Sequence, residues 1–327
     1  MHLSQCYFIA VISAFLSWIL IYILLPMLRR RLLDQPNARS SHLLPIPRGG
    51  GLVFVLVASV ASALALFLRS TTASSSLPLI VAPLLALPLA LVGFLDDLHN
   101  LYASWRFGVQ LATGIVVTLM SPLLTSSLGL FSFLALVIAV TAIINFTNFM
   151  DGLDGLVAGC MSVVLIAAAI QLSAPWPIWS LVGALMGFLF LNWSPAKVFM
   201  GDVGSTFLGA VFAVLVLQAA TWPEASGLLL VATPLLCDAF LCVSRRMFAG
   251  QRVFQAHRLH LFQRLHQAGW PHHRVSSLYI SATAVLAVAL LAGGWLWVMG
   301  LAAFELFVGV WLDQRIAVPF KVASARP

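Results

Sequence analysis

The sequence predicts an all-α, polytopic integral membrane bundle of about eleven transmembrane helices, ten at the fewest, with a periplasmic N-terminus and a cytoplasmic C-terminus. Three observations carry that expectation. The chain of 327 residues is 61% hydrophobic and only 8% charged, with a mean hydropathy of +1.03, more apolar surface than a soluble domain can hide. That surface falls into runs of roughly 16 to 22 residues, the length a helix needs to cross a bilayer. Finally, Lys and Arg collect between alternate runs.

The first run, 7–28, has no basic residue before it and Arg29, Arg30 and Arg31 straight after it. That reverses the charge order of a secretory signal, so the segment reads as a retained helix. The windows 50–68, 77–95, 105–121, 128–145, 156–173, 177–192, 204–221 and 226–243 each read as one crossing. The last two, 275–292 and 295–312, are separated only by Ala292-Gly293-Gly294, which allows a tight reversal or one long bent helix. Arg315, Lys321 and Arg326 beyond them favour eleven spans.

With the N-terminus outside, segments 29–49, 96–105, 146–155, 193–203, 244–274 and 313–327 face the cytoplasm. These segments and their edges hold every Lys and Arg except Arg69, the positive-inside pattern. The outer segments, 69–76, 121–127, 174–177 and 221–226, are short and rich in Ser, Thr and Pro, so they read as plain connections. No repeat of fixed period is visible. The expectation is a single transmembrane domain, 1–327, whose cytoplasmic loops at about 29–49, 96–105, 146–155, 193–203 and 244–274 are the candidates to carry any active site. The net charge of +7 then belongs to topology and lipid headgroups, with no nucleic-acid partner. Cys6, Cys160, Cys237 and Cys242 stand singly in apolar stretches, which suggests neither a disulfide framework nor a zinc site.

Five of the ten acidic residues lie in three places at the cytoplasmic ends of apolar runs. They are Asp96-Asp97, Asp151 and Asp154 in Asn145-Phe-Thr-Asn148-Phe-Met-Asp151-Gly-Leu-Asp154-Gly155, and Asp202 in Phe199-Met-Gly-Asp202-Val-Gly-Ser205. Carboxylates are expensive in hydrocarbon, but at an interfacial cleft they can meet water, a cation or a charged substrate. Converging carboxylates repel and need a counter-ion. Asp and Asn oxygens without Cys suit Mg²⁺, with Mn²⁺ as a substitute, and such ions are completed by substrate phosphates. Asp96 and Asp97 point about 100° apart if helical, so one of them is expected to face the site.

On the same face Arg39, Arg48, Arg106, Lys197, Arg258 and Arg264 can neutralise phosphate oxygens. Gly49-Gly50-Gly51 and Gly201/Gly204 allow either close approach to a ligand or simply turn geometry. His257 and His260 share one helix face, along with Arg264; with arginines around them and no cysteine in their segment, phosphate binding is favoured over zinc. His266, His272 and His273 read as surface or headgroup-facing. Asp238 and Glu305, set within apolar windows, read as structural or interfacial.

These residues match a family pattern. Asp34-Gln-Pro-Asn-Ala-Arg39-Ser-Ser-His42 with Pro47-Arg48-Gly-Gly-Gly51, Gly93-Phe-Leu-Asp96-Asp97, the Asn145–Gly155 run, Asn192-Trp-Ser-Pro195-Ala-Lys-Val-Phe199-Met-Gly-Asp202-Val-Gly-Ser205 and His257-Arg-Leu-His260 occur in family order over nearly the whole chain. The sequence resembles the polyprenyl-phosphate N-acetylhexosamine-1-phosphate transferases, multi-pass enzymes of the bacterial inner membrane whose site lies on the cytoplasmic face. The resemblance implies transfer of a sugar 1-phosphate from a UDP-N-acetylhexosamine to undecaprenyl phosphate, with release of UMP. It also implies Mg²⁺ held by Asn148 and Asp202, and Phe199 stacked on uracil. Asp151 and Asp154 would lie around nucleotide and metal, and Asp96 or Asp97 would act on the lipid phosphate or help organise the metal. His257, His260 and Arg258 would hold diphosphate or sugar, with Arg48, Arg106 and Lys197 as further substrate contacts; the partners are those two substrates, the bilayer and a second copy in a homodimer.

The peptidoglycan branch of this family carries consecutive histidines where this chain has His257-Arg-Leu-His260. That departure, with Leu259–Leu265, resembles members that begin O-antigen or other surface polysaccharides, using GlcNAc, FucNAc or QuiNAc. A secondary transporter would instead carry its acids near mid-membrane, lining a path.

Overall fold

The computed structural model describes residues 3–35, 44–68, 77–124, 129–251 and 257–324. Arg39, His42, Arg69 and Arg326 lie outside the described residues, as do all of the outer connection 69–76 and part of 121–127. The helices are α1 (Leu3–Arg31), α2 (Leu52–Phe67), α3 (Leu77–Leu85), α4 (Leu87–His99), α5 (Ala103–Leu119), α6 (Gly129–Phe149), α7 (Leu156–Gln171), α8 (Trp176–Asn192) and α9 (Asp202–Leu217). They continue with α10 (Trp222–Val231), α11 (Thr233–Phe248), α12 (Leu261–Gln267), α13 (His272–Gly293), α14 (Trp295–Arg315) and α15 (Phe320–Ser324). Every predicted window is helical. The one departure from all-α among the described residues is a two-residue antiparallel pair, β1 (Leu33–Asp34) with β2 (Ile46–Pro47), in register Leu33 to Pro47.

Five stretches are long and apolar enough to cross a membrane: α1, α3 with α4, α6, α13 and α14. Helices α2, α7, α8 and α9 are apolar but shorter. The window expected as one span at 226–243 is instead α10 and α11, bent by 81° at the break. Pro234 sits in the first turn of α11, where its missing N–H cannot continue the hydrogen-bond ladder of α10. The Thr233 hydroxyl donates to the freed Leu230 carbonyl at 2.6 Å. At the C-terminal end the chain reverses at Gly294, with φ of 75°, so α13 and α14 are two helices packed on each other.

Large apolar side chains such as Phe8, Phe67, Phe131, Phe190, Trp297 and Phe307 point outward, as expected of a multi-pass membrane protein whose outer solvent is lipid. In the middle stands α9, buried from Val203 to Leu217 and contacted by α2, α3, α4, α5, α6, α7 and α10. Its single charged residue is its first, Asp202. The core therefore delivers a carboxylate to one end of the bundle.

Candidate active site

Asp202 opens α9, where the unpaired N–H groups of a first turn favour a carboxylate. Gly201 before it has φ of 75°, and a Cβ there would lie 2.5 Å from Asp97 Oδ2. On α4 a Cβ at Gly93 would meet the Asp202 carbonyl at 2.5 Å. Glycine at these two points lets the last turn of α4 press against the start of α9, which brings Asp96 and Asp97 beside Asp202.

Arg106 of α5 binds two of these acids: its Nη1 donates to Asp96 Oδ2 at 2.6 Å and to Asp202 Oδ2 at 3.0 Å. Asp96 Oδ1 also accepts from the Leu101 N–H at 2.6 Å. Asp97 turns the other way, accepting from the Val203 N–H at 3.4 Å and lying 3.9 Å from Arg48 Nε, while Arg48 Nη2 donates to the Asp97 carbonyl at 2.5 Å. The consecutive carboxylates diverge, as their helical spacing requires, yet both end beside Asp202.

Asn148, in the last turn of α6, donates Nδ2 to Asp202 Oδ1 at 3.0 Å and to Ser205 Oγ at 2.8 Å. One turn earlier Asn145 donates to Gln110 Oε1 at 2.7 Å, fixing α6 to α5. Asp151 follows just beyond α6. Burial pushes its carboxyl up to about 8, and the Asp202 and Asp97 carboxylates add to the effect. Three carboxylates, Asp96, Asp97 and Asp202, thus share two guanidinium groups, with the Asp151 carboxyl close by. An oxygen-only donor set with surplus negative charge fits a hard divalent cation such as Mg²⁺. Asp202 and Asn148 would hold it, the latter through its amide oxygen, since its amide nitrogen is engaged.

A cavity of about 290 Å³ adjoins this cluster, lined by Arg106, Asn148, Asp202, His257 and His260 among others. Asp238 of α11 places the histidines, its carboxylate accepting from the N–H groups of Leu261 and Phe262 at 2.8 and 3.1 Å and from the Tyr279 hydroxyl at 2.7 Å. It lies 3.7 Å from His260 Nδ1. The rings of His257 and His260 stack with centroids 4.9 Å apart. Burial, then the neighbouring His260 and Arg246, push His257 down to about 3, so its imidazole is neutral at physiological pH.

The remaining expected residues sit around this centre rather than in it. Asp154 accepts from the Ala196 N–H at 3.2 Å and lies 3.1 Å from His272 Nδ1. Burial alone would raise its carboxyl, but His272 and the Ala196 N–H together hold it below the usual range. Phe199 and the exposed Lys197 share the loop leading to Asp202. Arg258 lies between the two histidines, its carbonyl accepting from Gln267 Nε2 at 2.9 Å.

Of the uses open to Gly50 and Gly51, the structure shows backbone packing: their N–H groups donate to the Phe199 and Met200 carbonyls at 2.9 Å, and the Phe199 N–H to Pro47 at 2.8 Å. Three expectations need correction. His257 and His260 do not share a helix face with Arg264, because α12 begins only at Leu261. Arg264 does not reach for phosphate; it is 2% exposed and bound to Asp313 and to the Leu259 and Val318 carbonyls. His266 and His272 are half-buried and partnered rather than freely exposed: they meet edge to face at 4.5 Å, with His266 bonded to the Trp270 carbonyl and His272 to Asp154. Gln110, Ser205, Asp238 and Asp313 support the site and were not assigned to it from sequence. Only a polar residue deep in an apolar window could have flagged the first three.

A model of glycosyl transferase family 4 matches residues 79–220. The chain is 28% identical to the probable undecaprenyl-phosphate N-acetylglucosaminyl 1-phosphate transferase of Bacillus subtilis, over 94% of this chain and 91% of that one. It is 31% identical to the decaprenyl-phosphate N-acetylglucosaminephosphotransferase of Mycobacterium leprae, over 77% and 74%. It is also 30% identical to the phospho-N-acetylmuramoyl-pentapeptide-transferase of Acaryochloris marina, over 78% and 76%.

Proposed function

The chain belongs to the polyprenyl-phosphate hexosamine-1-phosphate transferase family, and from that premise we propose that it moves an N-acetylhexosamine 1-phosphate from a UDP-sugar to undecaprenyl phosphate. UMP leaves, and the sugar remains on the lipid as a diphosphate. This would be the first membrane step of O-antigen or a related surface polysaccharide, at the cytoplasmic face of the inner membrane. The observation that carries the reading is the meeting of Asp96, Asp97, Asn148, Asp151 and Asp202 with Arg48 and Arg106 at one end of an otherwise apolar bundle.

A divalent cation held by Asp202 and Asn148 would supply positive charge to the transferring phosphoryl group. Arg106 and Arg48 add fixed positive charge beside it, where charge in the transition state is most strongly stabilised. A phosphate monoester loses its second proton near pH 6, so positioning by Asp96 and Asp97 matters more than proton abstraction. His257 and His260 can each donate a ring N–H to the departing diphosphate or the sugar. The split His257-Arg-Leu-His260 pair speaks against a muramyl-pentapeptide donor, and acids gathered at one end rather than along a path speak against a transporter.

Purified protein supplied with undecaprenyl phosphate, Mg²⁺ and a panel of UDP-N-acetylhexosamines should release UMP with at least one donor. Absence of UMP with every donor would overturn the transferase reading, and the donor that works identifies the sugar.

A further inference from the structure

Cys242 lies on α11 one helical turn beyond Asp238 and is buried, 4% exposed. The loop entering α12 passes over that turn. As a result Cys242 Sγ and a ring nitrogen from each of His257 and His260 all lie within 4.8 Å of one another. Nothing in the spacing of the sequence pairs this thiol with those imidazoles; the bend between α10 and α11 and the anchoring of α12 by Asp238 bring them together.

The donor set is one sulfur and two nitrogens, which suits Zn²⁺ or Co²⁺ and not the oxygen-seeking Mg²⁺. Bond lengths of about 2.3 Å to sulfur and about 2.0 Å to nitrogen put the ligands of a tetrahedral ion roughly 3.5 Å apart. Closing from the present spacing takes side-chain shifts on the order of 1 Å, without moving a helix. His260 Nδ1 is buried without a hydrogen-bond partner, and Asp238 Oδ1 lies 3.7 Å from it, near enough for a small ring shift to place a carboxylate behind a metal-bound histidine. The thiol gives up its proton only on binding the metal, and the resulting thiolate charge would offset Arg246 and Arg264, which lie near Cys242. Three protein ligands leave a fourth position to be filled by water or by a donor from the cavity that His257 and His260 line.

We propose that Cys242, His257 and His260 form a site for a thiophilic divalent metal, Zn²⁺, separate from the hard-cation site at Asn148 and Asp202. An occupied site would take both imidazoles away from substrate and so inhibit transfer. That consequence rests on the transferase reading; binding itself does not.

The test uses the full-length protein, purified free of metal in detergent with excess Mg²⁺, and titrated with Co²⁺. The expected result is a stoichiometric thiolate-to-cobalt charge-transfer band that Zn²⁺ abolishes. Cys242→Ser should lose the band and bind Zn²⁺ roughly tenfold or more weakly in competition with a chromophoric chelator. His257→Gln should weaken Zn²⁺ similarly. Without zinc, Cys242→Ser should still release UMP, and zinc should no longer inhibit it. Absence of the band, its survival in Cys242→Ser, or unchanged Zn²⁺ affinity in both variants would overturn the proposal, whether or not the protein proves to be a transferase.

Discussion

Two charged clusters lie in this apolar bundle, and they differ in whether their charges are matched. Around Asp313 the account closes: its carboxylate meets Arg245 at 2.7 Å and also binds Arg264. Arg264 has its other donors on the Leu259 and Val318 carbonyls. Both guanidinium groups also sit about 6 Å over the Phe320 ring. Nearby Asp238 accepts three hydrogen bonds. Around Asp202, by contrast, three carboxylates share Arg48 and Arg106, the buried Asp151 lies close by, and Asp202 and Arg106 line a cavity. Matched charge fastens the histidine loop to the bundle; unmatched charge waits for something to bind. The presence of buried charge alone does not separate structure from function, whereas its balance does.

Substitutions can test that contrast. The largest effect should follow Asp202→Ala, with UMP release falling by about 10²–10³ or more while membrane insertion and thermal stability hold. Full activity in that variant would remove Asp202 from the chemistry. Arg264→Ala should do the reverse, because it leaves Asp313 with one partner fewer in a buried setting. Breaking such a pair costs about 3–5 kcal/mol, to be read as earlier thermal unfolding in detergent, and an unchanged midpoint would show the matched cluster to be ornamental.

Asp154→Asn should have a smaller effect, about 1–3 kcal/mol for a charged hydrogen bond, and one that depends on pH. The Asp154 carboxyl is held below its ordinary value of 3.8 in the fold, so on acidification the unfolded chain takes up a proton first. The stabilisation is complete at neutral pH and is lost as pH falls through that ordinary value toward the lowered one. Wild type and variant should therefore unfold at different temperatures at neutral pH and converge in acid. A constant gap at all pH values would mean that the Asp154–His272 contact contributes nothing through charge.

The helices were legible because length and polarity decide them: every apolar window is helical, although 77–95 and 226–243 each hold two helices, and the acids at the window ends converge. What the sequence hid depends on tertiary approach. Pro234 carried the signal for the α10–α11 break, but an apolar run continuing on both sides masked it. Arg264 looked like the other arginines of its segment, and only the packing of α14 and the residues after it turns it inward to Asp313. Gly50 and Gly51 announced a close approach without saying that the partner is the backbone of Phe199 and Met200. Cys242 looked like a core residue because its neighbours His257 and His260 come from a different element.

The contrast between the clusters is tested most directly by Mn²⁺ binding to the purified full-length protein, read from loss of the free ion's electron paramagnetic resonance signal. Wild type, Asp202→Asn and Asp313→Asn are compared side by side. One ion should bind to wild type and to Asp313→Asn, with affinity falling roughly tenfold or more in Asp202→Asn. Undiminished binding in Asp202→Asn would contradict the assignment of the unmatched cluster as the cation site.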